Sequence, residues 1–82
     1  MPTLFRYKGF RFFFYSNEGN PREPAHVHVE QDDREAKFWL RPDVRLAYNA
    51  GFNAKALSGL LSIVEQQREQ IERAWREFFR ES

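Results

Sequence analysis

The sequence predicts an α+β fold: an antiparallel sheet of about four strands with one long C-terminal helix packed on one face, in a single domain over residues 1–82. Three observations predict it. Residues 3–40 alternate with period two in short runs, and these are separated by glycine, proline and acidic turns. From about residue 53 to about residue 80 the apolar positions switch to the 3/4 spacing of an amphipathic helix. A run of strands followed by a helix describes α+β layering and not a βαβ repeat.

The first strand is expected over 3–8, where Thr3-Leu4-Phe5-Arg6-Tyr7-Lys8 alternates before Gly9 breaks it. A single glycine between two aromatic-rich runs makes a hairpin with Phe10-Arg11-Phe12-Phe13-Phe14-Tyr15 plausible. Phe10, Phe12 and Phe14 then share one face, while Arg11, Phe13 and Tyr15 share the other, which suits a central strand. Residues 16–24 carry two prolines, two asparagines, a glycine and a serine, so neither ladder nor helix can persist there. Ala25-His26-Val27-His28-Val29-Glu30 alternates strictly. Val27 and Val29 point to the expected core, and His26, His28 and Glu30 point to the opposite face, which is expected to be open. After the polar turn 31–34, Ala36, Phe38 and Leu40 point inward, and Glu35, Lys37 and Trp39 join the histidine side. Arg41-Pro42-Asp43 stops this strand, and residues 44–48 offer a short further one.

Asn53 is a fair N-cap for the helix, without a capping box because Ala56 stands at N3. The apolar stripe runs Leu57, Leu61, Val64, Ile71, Trp75 and Phe78, widened by Leu60, Ile63 and Ala74. Glu65, Glu69, Glu72 and Arg76 are assigned to the wet face, and Gly59 to close packing on the sheet. A straight helix over 53–80 would be roughly 40 Å long, too long for this domain to cover. The expectation is therefore a bend near Gln66-Gln67-Arg68, or a projecting end that packs on a second copy as a homodimer.

Composition excludes several classes. At 41% hydrophobic and 17% aromatic residues the chain has enough apolar material to fold. Phe12-Phe13-Phe14-Tyr15 is the longest apolar run, too short for a membrane span, and Arg6, Lys8 and Arg11 interrupt any secretory signal. A cytoplasmic location without membrane association is expected. With no cysteine there is no disulfide, thiolate nucleophile or cysteine-based zinc site. The net charge of +1 argues against strong sequence-independent nucleic-acid binding. It is also evenly spread, with eight basic against seven acidic residues in 1–52 and five against five in 53–82.

His26-x-His28 is the arrangement with catalytic spacing. On a strand the two rings lie about 7 Å apart on one face, and imidazole is well suited to proton transfer near neutral pH. Metal-independent RNA cleavage needs an acid–base pair and a cation for the charged phosphorane. His26 and His28 supply the pair, Lys37, Arg11 or Arg22 the cation, and Tyr15 or Trp39 a stacking platform, with Trp39 also suited to an interface. The bland alternative is that two histidines merely suit an exposed alternating strand. His26, His28 and Glu30 also have the ligand types of a two-His, one-carboxylate metal centre. They spread over roughly 13 Å, however, so a ligand such as Asp32 or Glu35 would have to join them. No metal is assigned. No Gly-rich phosphate cradle is present either, and no cofactor is expected.

Several blocks together resemble DUF4160, a small prokaryotic family of unknown function. They are Met1-Pro2, the Gly9–Ser16 run, His26-Val27-His28-Val29, and Ala36-Lys37-Phe38-Trp39-Leu40 with a nearby proline. Asn49-x-Gly51-Phe52 and Ala74-Trp75-x-Glu77-Phe78-Phe79 complete the set. The resemblance implies a component of a toxin–antitoxin-like gene pair with a small cognate protein, one of the DUF2442 kind. Two positions depart from the family pattern: Ala25 where proline is common, and Arg76 where many relatives carry histidine. The function expected is a small interaction protein of such a pair; the alternative is a toxin-type ribonuclease with His26 and His28 as acid and base.

Overall fold

The computed structural model describes residues 3–15 and 23–79. Five strands, β1 (Thr3–Tyr7), β2 (Phe10–Phe13), β3 (His26–Gln31), β4 (Arg34–Trp39) and β5 (Arg45–Ala50), precede two helices, α1 (Ala54–Gln66) and α2 (Arg68–Phe79). The strands form one antiparallel meander in the order β1-β2-β3-β4-β5. The α+β antiparallel architecture is as expected, with five strands where about four were expected. The added strand is β5, longer than the short segment expected at 44–48. The loop expected over 16–24 falls for the most part on residues 16–22, outside the described residues.

Hairpin register follows from turn length. Between β3 and β4 only Asp32 and Asp33 intervene, with Asp32 at φ 55°, a conformation aspartate tolerates. Gln31 therefore faces Arg34, and the pairing runs on through Glu30–Glu35, His28–Lys37 and His26–Trp39. At the end of β5, Gly51 sits at φ 102°, and a Cβ there would lie 2.6 Å from the Arg34 side chain. Any other residue would meet both backbone strain and a clash at this corner.

One sheet face forms the core. Phe12, Phe14, Val27, Val29, Ala36, Phe38 and Leu40 meet Leu60, Val64, Ile71 and Trp75 from the helices, and all are buried. Asn53 caps α1, its Oδ1 accepting from the Ala56 amide at 2.8 Å. The single helix expected over 53–80 is replaced by two, because the chain breaks at Gln67. Backbone bonding continues across the break, from Gln67 N–H to Ile63 C=O and from Ile71 N–H to Gln67 C=O. The bend was one of the two outcomes expected for so long a segment. It lets Leu60 and Val64 of α1 and Ile71 and Trp75 of α2 all reach the core.

Three helix assignments need correction. Leu57 and Leu61 are only half-buried and Phe78 is exposed, so the buried line runs instead through Leu60. Glu72 is not on the wet face. It is buried, and Arg41 meets both its oxygens, with Nη2 at 2.8 Å from Oε1 and Nε at 2.6 Å from Oε2, while Arg68 Nε lies 3.5 Å away. A carboxylate can be buried there because two guanidiniums reach it. Gly59, finally, does not mark close packing on the sheet: a Cβ at this position would meet nothing within 4 Å.

Candidate functional site

The histidines of β3 lie on the sheet face opposite Val27 and Val29, as alternation requires, but that face is not open at this point. His26 is 0% exposed and His28 5%. β3 is the central strand, so neighbours flank it on both sides, and aromatic rings close over it. The His28 ring stacks on Phe13 at 5.5 Å between centroids and receives Tyr15 edge-on at 4.5 Å. His26 packs against His28 at 5.2 Å, Trp39 at 5.5 Å and Trp75 of α2 at 4.8 Å. The exposed, alternating histidine strand expected from the sequence is thus overturned by rings from β2, β4 and α2.

Polar contacts fix both imidazoles. His26 Nδ1 lies 2.9 Å from the Pro24 carbonyl, which can only accept, so this nitrogen carries the proton. His28 Nδ1 lies 3.2 Å from Glu35 Oε2, and the Tyr15 hydroxyl donates to the Glu35 carboxylate, 3.1 Å from each oxygen. Glu35 reaches His28 diagonally across the β3–β4 hairpin, one step from the direct Glu30–Glu35 pair. A carboxylate that orients an imidazole is the supporting half of an acid–base device. Here it places a carboxylate beside an imidazole buried under an aromatic cover.

The cations expected to serve the histidines are engaged elsewhere. Arg11 Nη1 pairs with Glu30 at 2.9 Å, its Nε donates to Thr3 Oγ1 at 2.7 Å, and its guanidinium covers the Phe13 ring at 4.4 Å. Lys37 Nζ lies 3.3 Å from Glu23 Oε1 and 4.4 Å over the Trp39 ring. Trp39 is half-buried between Lys37 and His26. Arg22 lies outside the described residues. The structure thus gathers His26, His28, Tyr15 and Trp39 into one layer with Lys37 at its margin, and commits Arg11 to Glu30. Among the described residues, no three or more of His, Asp and Glu are placed to hold a metal ion. Glu30 in particular is turned to Arg11.

Sequence reasoning missed Glu35 as the partner of His28, although the two-residue turn fixes a register from which the diagonal could have been drawn. It also missed the contact of Trp75 with His26, for which the sequence holds no local signal. Beside this layer a cavity of about 480 Å³ opens between Pro24, Ala25, Arg41, Glu72, Trp75 and Arg76. Trp75 both lines it and packs on His26, which is not among its lining residues.

The model of DUF4160, a domain of unknown function, matches residues 9–76. The chain belongs to the DUF4160 family. The match spans β2 through most of α2 and so takes in the whole histidine layer of this DUF4160 domain. No curated protein and no solved structure matches the chain. No helix among the described residues is long and apolar enough to cross a membrane.

Proposed function

We propose that this DUF4160 protein is a small interaction protein of a prokaryotic toxin–antitoxin-like gene pair, acting in the cytoplasm through a complex with a small cognate protein of the DUF2442 kind. The observation that carries the reading is the distribution of exposure. Both histidines are sealed, while Tyr7, Leu46, Tyr48 and Phe78 stay exposed. Buried imidazoles offer a substrate no direct access, whereas exposed large apolar side chains are the usual material of protein contacts. A net charge of +1 adds little electrostatic attraction for RNA. The second reading, a ribonuclease, is favoured by one feature: the Glu35 carboxylate lies 3.2 Å from His28 Nδ1, where a carboxylate can support a general base.

Co-expression with the product of the neighbouring gene tests the first reading. A stoichiometric complex by size exclusion and sedimentation is expected, and absence of any complex would overturn it. Growth of a bacterial host on inducing the wild type, the His26→Ala/His28→Ala double variant and the milder His28→Gln separates the second. Arrest by the wild type that disappears in folded histidine variants would replace the binding reading with catalysis. Circular dichroism establishes folding in each case.

A further inference from the structure

A groove of about 600 Å³ runs along α1 beside the β1–β2 hairpin. Tyr7, Phe10 and Ile63 supply its apolar surface above the buried Leu60, and Lys8 and Lys55 stand among the residues that line it. None of its lining residues carries a negative charge, and neither lysine makes an ion pair with a described residue. The α1 residues on it recur every three or four positions from Lys55 to Gln66, one helix face about three turns long. At the middle of that face stands Gly59, an exposed helical residue whose missing side chain leaves open space. Nothing among the described residues requires a glycine there, and in a helix interior glycine is unfavourable relative to alanine. Bare backbone in a groove allows another helix to approach closely.

We infer that this groove docks an acidic amphipathic helix of a partner protein, its apolar side on Tyr7, Phe10 and Ile63 and its carboxylates on Lys8 and Lys55. Charge selects the occupant: Lys8, whose ammonium lies 5.4 Å from the Tyr7 ring centre, and Lys55 have no acidic partner among the described residues, and two such lysines around an apolar floor favour a negatively charged segment over a basic one. The inference rests on the interaction-protein reading and names its surface.

The test uses fluorescence anisotropy of a labelled 14-residue peptide with leucines at helical 3/4 spacing and glutamates elsewhere, beside its lysine counterpart. The acidic peptide is expected to bind saturably and at least tenfold tighter than the basic one. Gly59→Phe fills the groove and should weaken it tenfold or more, while Gly59→Ala should raise Tm and establish that the position tolerates a side chain. Lys8→Glu with Lys55→Glu should reverse the preference between the two peptides. Equal binding of both peptides, or indifference to Gly59→Phe, would overturn the groove. So would Gly59-dependent binding to phosphatidylglycerol vesicles, which would make it a membrane surface. Dimerisation lost in Gly59→Phe would likewise overturn it, by making a second copy the occupant. A cognate complex that survives Gly59→Phe but is lost on Leu46→Lys with Tyr48→Lys would overturn the groove and keep the interaction reading. No cognate complex at all would overturn both.

Discussion

β3 and β5 are both six-residue strands in the same sheet, and they reverse the usual relation between polarity and burial. β3 carries two histidines, and His26, Val27, His28 and Val29 are all buried. β5 carries Leu46 and Tyr48, and these are 45% and 55% exposed. The difference lies in position. β3 has a strand on each side, helices over its valine face and aromatic rings over its histidine face. β5 is an edge strand beside β4, and a bulge between Lys37 and Phe38 puts Ala47 out of register. Leu46 is paired with Phe38 and Tyr48 with Lys37, so the exposed apolar residues fall on opposite faces. Burial in this domain is a property of sheet order and of what lies above each face. Edge strands left exposed in this way invite pairing with another chain.

Uncovering β3 is expected to have the largest effect. Trp75 closes the layer from α2, packing on His26 and edge-on to Phe14 at 5.2 Å. Trp75→Ala should cost about 3–5 kcal/mol, a large part of the stability a domain of this size has, and leave it partly unfolded at room temperature. Urea denaturation followed by circular dichroism reads the loss, and a cost under about 1 kcal/mol would mean the layer does not depend on α2. A smaller effect is expected inside the layer. Glu35→Ala removes the carboxylate that meets both His28 and Tyr15, and should lower stability by about 1–3 kcal/mol in the same titration. Glu35→Gln, which retains an acceptor, should recover part of it.

Next comes the helix that covers the opposite face. Asn53→Ala removes the cap on α1 and should cost about 1 kcal/mol, seen as a lower urea midpoint with an unchanged slope. The smallest effects belong to β5. Tyr48→Ser and Leu46→Ser should each change stability by no more than about 0.5 kcal/mol in the isolated chain, because little is packed on them. A loss above about 1.5 kcal/mol from either would show that β5 is supported as firmly as β3, and the contrast between them would fail.

Much of the local order was legible in the residues. The polar turn at 31–34 marked the β3–β4 hairpin, strict alternation divided Val27 and Val29 from His26 and His28, and Asn53 marked the start of α1. Length alone left two outcomes for the helical segment, a bend near Gln66-Gln67-Arg68 or a projecting end, and the structure shows the bend. The candidate site was legible only as a set of residues on one face, Tyr15, His26, His28, Lys37 and Trp39. Its sealed state was not, nor was the commitment of Arg11 to Glu30.

Which residues share a face follows from the order of residues along the chain, because strand and helix periods are local consequences of backbone geometry. Which face meets water depends on long-range packing. That packing placed Trp75 against His26 from 49 residues away in the chain, brought Arg41 and Arg68 onto the buried Glu72, and left Leu46 and Tyr48 outside by putting β5 at the edge. Alternation fixes a side chain's direction within a few residues, whereas its burial depends on elements that arrive from elsewhere in the chain.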